Sequence, residues 1–416
     1  LCHSSARRGA DGTIRSVDDA LVSLARDFSP HERWELISPA PGSEPDPLRA
    51  IEQLRRSHPD WSADFAAAVA TQRELGDRAR AGGSIPPGPW LLTRTGAQQS
   101  THLAVATRRA RHLAAAGAAS VVDVTAGLGV DAWACAAAGM QVLAIERDPL
   151  TAELCRANVP EATIVNADAT EIDFPVLPEL SQLPEPVCWL VDPARRGTAQ
   201  RIDGTRAAPE RDPDRWSPPW SFVEGSRTEH AWVAAKAPGG FTPAPHWSAE
   251  WVGIGDYVVE CAVYSLPMPA LQHHRQATLL EGFEDGTDLT LAVDDDAAAP
   301  VGPLAQFVGE PHPVFHRALP ALCAAGARRV SASSNWITSG EPNIPGVRWF
   351  RILDTAPAKG LRALARDHGI ESVAIKSRES TAPLRTWRAR IGLPDGNRYA
   401  VIIARELPEA ILAERN

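Results

Sequence analysis

The sequence lacks several features that would each have defined a class of protein. No apolar run is long enough to span a membrane, and residues 1–30 hold no apolar stretch typical of a secretion signal. The six cysteines are scattered and form no Cys-x-x-Cys pair, which argues against a zinc site and against a disulfide framework. We therefore expect a cytoplasmic protein that binds neither a metal nor a membrane.

Positive charge is scarce over most of the chain. The net charge is −9, yet residues 301–416 carry 16 lysines and arginines against 10 acidic residues. A mildly basic C-terminal module on an acidic body could face an anionic partner, or it could be an ordinary solvated surface rich in arginine. The composition by itself leaves both interpretations open.

The apolar pattern changes near residue 120. Before it, apolar residues recur every three or four positions through Val17–Phe28 and Leu48–Leu75, which predicts helices. After it, short apolar runs alternate with helix-length segments, which predicts an α/β fold with a parallel sheet covered by helices. Residues 294–303 are predicted to be a linker, and the remainder mixes helices and strands as an α+β module.

A glycine-rich turn, in VVDVTAGLGVD, follows the first predicted strand. Gly127 and Gly129 permit close approach of a ligand to the backbone, a pattern that fits dinucleotides as well. Asp123 ends the strand and Asp131 begins the next helix. Such carboxylates repel a pyrophosphate but attract the ammonium and sulfonium of S-adenosyl-L-methionine. The sign of the charge therefore favours the methyl donor over NAD.

Acidic residues also end the next two predicted strands. Glu146 lies where a carboxylate accepts hydrogen bonds from ribose hydroxyls. Asp168 could accept from an adenine amino group, although an aspartate after a strand is often a helix cap. The candidate cofactor-binding residues are Asp123, Thr125, Gly127, Gly129, Asp131, Glu146 and Asp168.

The fourth predicted strand ends in VDPARR. Because ligands bind at the carboxyl ends of parallel strands, Asp192 is expected beside the reactive methyl group. Its carboxylate, or the Asp192–Pro193 backbone carbonyl, could accept a bond from a nitrogen nucleophile, and Arg195 could hold an anionic substrate or pair with Asp192. Asp192, Pro193 and Arg195 are thus the catalytic candidates. The alternative is a plain Asp-Pro turn with surface arginines.

The segments DVTAGLGVD, ERDP, NADA and VDPARR together resemble those of bacterial class I methyltransferases that carry a C-terminal THUMP-like domain. Similar segments extend over about residues 50–405. The resemblance implies an N-terminal helical region (1–115), a Rossmann-like methyltransferase domain (116–255), a small ferredoxin-like segment (256–300) and a THUMP-like domain (301–416). It also implies that S-adenosyl-L-methionine is the cofactor, that Gln98, Gln99 and Thr101 close over it, and that RNA (tRNA or rRNA) is a partner.

VDPARR is also similar to a motif of 23S rRNA uridine-C5 methyltransferases, which need a cysteine nucleophile. SASSNWITS has serine where that thiol would stand, so carbon methylation through a covalent adduct is disfavoured. Methylation of a nucleobase nitrogen in RNA, which needs little beyond orientation, is favoured. The alternatives are a protein or small-molecule acceptor, an NAD-dependent oxidoreductase, and a non-catalytic scaffold.

Three further features bear on the substrate. Lys376, Arg378 and Arg388 are the candidate substrate-binding residues, within a stripe that could contact phosphates. Lys236, at the end of a predicted strand, could neutralise a substrate phosphate, although a solvated lysine is the preferred interpretation. Tryptophans between residues 189 and 251 could stack a base, but packing accounts for them more simply.

Overall fold

The computed structural model describes residues 14–38, 46–195, 210–227, 231–265, 268–269, 271–280, 288–357, 359–377, 380 and 382–416. The chain divides into two compact units. The first comprises the residues up to Ala237 with 243–248 and 262–270, and the second comprises 238–242, 249–261 and 271–416. Within the described residues, no helix combines the length and apolar character needed to cross a membrane. The four-domain division expected from the sequence stays a prediction.

Helices make up the N-terminal part of the first unit. They are α1 (Val17–Arg26), α2 (Pro30–Ile37), α3 (Pro47–Ser57), α4 (Ala63–Ala81), α5 (Arg94–Gln99) and α6 (Leu103–Ala115). The sequence predicted one helical segment through Leu48–Leu75, whereas the structure has α3 and α4 there. The break follows from Pro59, because a residue before proline is disfavoured in the helical conformation, and His58 accordingly leaves it at φ −133°.

The first unit contains five parallel strands that alternate with helices, as the sequence predicted. The strands are β1 (Ser120–Asp123), β2 (Gln141–Glu146), β3 (Thr163–Asn166), β4 (Val187–Val191) and β5 (Ala231–Ala237), in the order β3-β2-β1-β4-β5. The connecting helices include α7 (Val130–Ala137) and α8 (Pro149–Asn158), and a short helix α9 (Trp220–Gly225) precedes β5. In register, Asp123 at the end of β1 pairs with Ala144 of β2 and Leu190 of β4, so these carboxyl ends meet at one edge.

Four strands follow: β6 (Ser248–Ile254), β7 (Tyr257–Tyr264), β8 (Arg275–Leu280) and β9 (Leu289–Ala292). β6 pairs parallel with β8, and β8 pairs antiparallel with β9. The sequence pattern did not predict β6, because Glu250 interrupts its apolar run. In the structure Glu250 is buried, and its Oε1 accepts hydrogen bonds from Thr278 Oγ1 at 2.6 Å and Gln276 Nε2 at 2.7 Å. These partners offset the cost of burying the carboxylate.

The second unit ends in a seven-stranded sheet flanked by helices, the expected α+β module. Its strands are β10 (Phe307–Pro311), β11 (Arg328–Arg329), β12 (Ile337–Ser339), β13 (Val347–Ala356), β14 (Val373–Lys376), β15 (Asp395–Ile402) and β16 (Ala410–Arg415). Their order is β11-β12-β10-β13-β16-β15-β14, and the helices are α10 (Leu319–Ala324), α11 (Leu361–Asp367) and α12 (Leu384–Ile391). Ile411 and Leu412 alternate between two apolar cores, as side chains of a strand buried on both faces do.

Candidate active site

A cleft of about 630 Å³ opens at the carboxyl ends of β1, β2, β3 and β4. The predicted site residues that line it are Thr125, Gly127, Asp131, Glu146, Asp168, Asp192, Pro193 and Arg195, together with Gln98, Gln99 and Thr101. Asp123 and Gly129 are buried and are not among the residues that line it. The structure thus gathers residues from four strand ends and from α5 at one place, while the role of each stays a prediction.

The two glycines of the turn serve different purposes. Both have positive φ, +54° at Gly127 and +93° at Gly129. A Cβ on Gly129 would lie 2.6 Å from Val159 Cγ2 and 2.9 Å from Cys155 Sγ, so this glycine allows the turn to pack closely against the C-terminal end of α8. A Cβ on Gly127 would meet no atom within 4 Å, so this glycine leaves open space beside the cleft.

The hydrogen bonds of the Glu146 carboxylate bear on whether the cleft can hold a nucleoside. Its Oε2 accepts from the Gly127 N–H at 2.9 Å, and its Oε1 accepts from the Asp148 N–H at 2.8 Å. Each carboxylate oxygen has a second lone pair. The side chain is therefore oriented by the glycine turn and retains acceptor capacity for two ribose hydroxyls, so the residues present fit the methyl donor.

Asp168 is held by its own loop. Its Oδ1 accepts from the Thr170 hydroxyl at 2.6 Å and from the Thr170 N–H at 2.9 Å. These two bonds, the hydroxyl first, lower the pKa of Asp168. Asp168 therefore closes a local turn, where the sequence alternative was a helix cap, and it presents an ionised carboxylate in the lining of the cleft.

Asp131 is the centre of a buried polar cluster. Its Oδ2 accepts from Thr101 Oγ1 at 2.6 Å and from Lys236 Nζ at 3.2 Å, and its Oδ1 pairs with Arg109. Burial alone would raise the pKa of Asp131, but the charges of Lys236 and Arg109 outweigh it and lower the pKa to about 2. Asp131 is therefore ionised at every physiological pH.

Lys236 joins this cluster from the end of β5. Its ammonium pairs with Asp192 Oδ2 and donates to Thr101 Oγ1, in addition to its contact with Asp131. Only 8% of the residue is exposed, so the expectation of a solvated strand-end lysine is wrong. Lys236 lies at the end of the strand that pairs with the VDPARR strand, and this position is the signal that could have indicated a role in the cleft. Lys236 is the cation that pairs with Asp192, whereas the sequence had suggested Arg195 for this role.

Asp123 has a different electrostatic state from the one the sequence suggested. It is 2% exposed, and its Oδ1 accepts from the Thr125 N–H at 3.2 Å. Burial, and then the charge of Asp131, raises the pKa of Asp123 to about 8. The carboxyl is therefore mostly neutral at pH 7, and the negative charge of the cleft comes from other acids.

The tryptophans around the cleft pack against one another. The rings of Trp216 and Trp220 lie 5.9 Å apart, those of Trp220 and Trp247 lie 6.0 Å apart, and Trp247 Nε1 donates to Glu224 Oε1 at 2.9 Å. No tryptophan is among the described residues that line the cleft. Packing therefore accounts for this cluster, as preferred from the sequence.

The predicted substrate-binding residues lie in the second unit. Lys376 Nζ contacts Glu310 Oε2 at 2.8 Å, and Arg388 pairs with Asp395 at 2.9 Å. The side chain of Lys376 is 22% exposed and that of Arg388 is 52% exposed, so Arg388 is the more accessible of the two. Arg378 lies outside the described residues.

The fold and the cleft define a Rossmann-like nucleoside-binding protein, and family models specify the cofactor. Residues 93–167 match a family described as "Putative SAM-dependent methyltransferase", and residues 347–415 match one described as "THUMP domain-like". The chain is an S-adenosylmethionine-dependent methyltransferase with a C-terminal THUMP-like domain, so its cofactor is S-adenosyl-L-methionine and not NAD. No curated protein matches the chain.

A solved structure shares this fold over nearly the whole chain. A structure described as a "putative methyltransferase" from Porphyromonas gingivalis is 20% identical, with a TM-score of 0.65. The match covers 96% of this chain and 98% of that one.

Two other structures share less. A "putative class i s-adenosylmethionine-dependent methyltransferase" from Listeria monocytogenes is 10% identical, with 65% and 94% coverage of the two chains and a TM-score of 0.33. A "putative RNA methyltransferase" from Pyrococcus horikoshii is 14% identical, with 40% and 74% coverage and a TM-score of 0.25. Scores this low do not show a shared fold.

Proposed function

We propose that the protein methylates a nitrogen atom of a nucleobase in RNA. The observation that carries this proposal is the anchoring of Asp192 inside the cleft. Its N–H donates to Thr125 Oγ1 at 2.7 Å, and its carboxylate pairs with Lys236. Backbone and side chain are both held, so the Asp192–Pro193 segment offers oriented oxygen acceptors to an amino group, which is what methylation of nitrogen requires.

The state of the cysteines supports nitrogen over carbon as the methylated atom. The five described cysteines, Cys135, Cys155, Cys188, Cys261 and Cys323, are buried, and burial raises the pKa of each thiol. None of these five lines the cleft. A thiolate nucleophile needs a lowered pKa and access to substrate, and these thiols have neither.

The RNA half of the proposal rests on the THUMP-like match and on the basic charge of residues 301–416. We assign Lys376, Arg378 and Arg388 to RNA binding, because cationic side chains contact phosphates. In the cleft, we assign the cofactor to the glycine turn and to Thr125, Asp131, Glu146 and Asp168, with Asp123 buried beside them. Asp192, Pro193 and Arg195 would then face the acceptor. Bound S-adenosyl-L-methionine supplies the electrophilic methyl group.

The test compares RNA from a strain that lacks the gene with RNA from its parent. Purified protein is incubated with each RNA and with tritiated S-adenosyl-L-methionine, and modified nucleosides are identified by mass spectrometry. We expect label in the RNA from the deletion strain, at a base nitrogen, and little in the parental RNA, whose sites are already methylated. Label in a copurifying protein or small molecule, with none in RNA, would contradict the proposal.

A further inference from the structure

We infer that Lys236 is a positioning residue that fixes Asp192, on the acceptor side of the cleft, relative to Asp131, on the cofactor side. This inference rests on the proposed function. Its ammonium contacts Asp192, which follows β4, and Asp131, which opens α7. It also contacts Thr101, the middle one of the three residues between α5 and α6. Three parts of the cleft therefore meet on a single buried cation.

The charges explain why this cation is needed. Asp131 and Asp192 are two carboxylates that share Lys236, and Arg109 balances Asp131 on its other oxygen. Asp123 adds no full charge at neutral pH, since its pKa is raised to about 8 by burial and by Asp131. Two anions and two cations therefore balance, and the two cations, which are the most deeply buried of the four groups, each have an acidic partner, as buried charges need.

The two carboxylates depend on Lys236 to different degrees. Asp131 is 13% exposed and keeps Arg109 and Thr101 when the lysine charge is removed. The Asp192 side chain is 37% exposed, and Lys236 is the cation that contacts it. Without the lysine, the Asp192 carboxylate would lose the partner that fixes its orientation and would turn toward water. Loss of the lysine should therefore lower the rate of methyl transfer more than it weakens cofactor binding.

The experiment compares Lys236→Met with Lys359→Met, the same change at an exposed lysine of the second unit. Tritium transfer to RNA from the deletion strain gives kcat, and calorimetry with S-adenosylhomocysteine gives the cofactor-site affinity. We expect Lys236→Met to lower kcat by about 100-fold, the effect of a misplaced reacting group. The affinity should change by less than about tenfold. Lys359→Met should leave both unchanged, and Lys236→Arg should recover part of kcat by keeping the charge.

A double-mutant cycle identifies the partner of the lysine. Asp192→Asn should lower kcat by itself, but in that background Lys236→Met should have little further effect, because the effects of substitutions at residues in direct contact are not additive. Additive losses, or an affinity loss as large as the loss in kcat, would overturn the inference.

A third measurement, urea unfolding, needs no methyl acceptor. It therefore tests this inference independently of the proposed function. The groups that face Lys236 are Asp131, Asp192 and the nearby Asp123 and Arg109. The charge of Lys236 is the largest of the causes that lower the pKa of Asp131, so without it this pKa should rise above about 2 and the carboxylate should take up a proton at a higher pH than in wild type. The difference in urea midpoint between wild type and Lys236→Met should therefore shrink as the pH falls from 7 to about 4. A constant difference would overturn the inference even if RNA proved not to be the acceptor.

Discussion

Replacing Asp123 with asparagine should stabilise the protein, and the gain should grow with pH. Asp123 is buried, and its pKa in the folded protein is about 8 against about 3.8 for a hydrated aspartate. Asparagine keeps the oxygen that accepts the Thr125 N–H and carries no charge at any pH. The wild-type carboxyl must instead bind a proton on folding, and this becomes more costly as the pH rises.

The linkage between protonation and folding gives the sign and size of this change in stability. Because the pKa is raised on folding, the stability contributed by Asp123 is complete below about pH 3.8 and is lost as the pH rises through about 8. The loss is about 1.4 kcal/mol for each pH unit. Between pH 3.8 and pH 7 it reaches roughly 4 kcal/mol, which Asp123→Asn should recover as an upper limit.

The assay is urea unfolding of wild type and Asp123→Asn at pH 5.5, 7 and 8.5, followed by tryptophan fluorescence. Asp60→Asn, a change at an exposed position, is the matched control and should show no trend with pH. The midpoint of Asp123→Asn should exceed that of wild type, and the excess should rise with pH. A midpoint below wild type, or an excess independent of pH, would refute the argument that burial keeps Asp123 protonated.

Three further predictions concern the turn, the cofactor and RNA. Gly129→Ala should cost about 1–3 kcal/mol more than Gly139→Ala in urea unfolding, because both sites have positive φ but only at Gly129 does a Cβ meet Val159. Glu146→Gln should weaken S-adenosylhomocysteine binding about tenfold or more in calorimetry, since it removes a charged acceptor; unchanged affinity would contradict the ribose assignment. Arg388→Ala should reduce the slope of log affinity against log salt for RNA by about 1; an unchanged slope would mean that Arg388 contacts no phosphate.

The sequence by itself determined the order of strands and helices around the glycine turn. Local patterns suffice there, because strands buried on both faces are continuous apolar runs and chain connectivity places their carboxyl ends at one edge. Asp131, Glu146, Asp168 and Asp192 could be assigned to one cleft for that reason. The family resemblance supplied the THUMP-like end, which matching residues 347–415 confirm.

Only the tertiary structure decided the charge state and the partners of these groups. Lys236 is 105 residues from Asp131 and 44 from Asp192, and no local pattern brings them together. Asp123 looked like an anion in the sequence, yet burial makes it mostly neutral at pH 7. Glu250 concealed a buried strand, because the residues that offset its burial, Gln276 and Thr278, are distant in the sequence. The cost of burying a charge depends on what surrounds it, and that is known only once distant segments have packed.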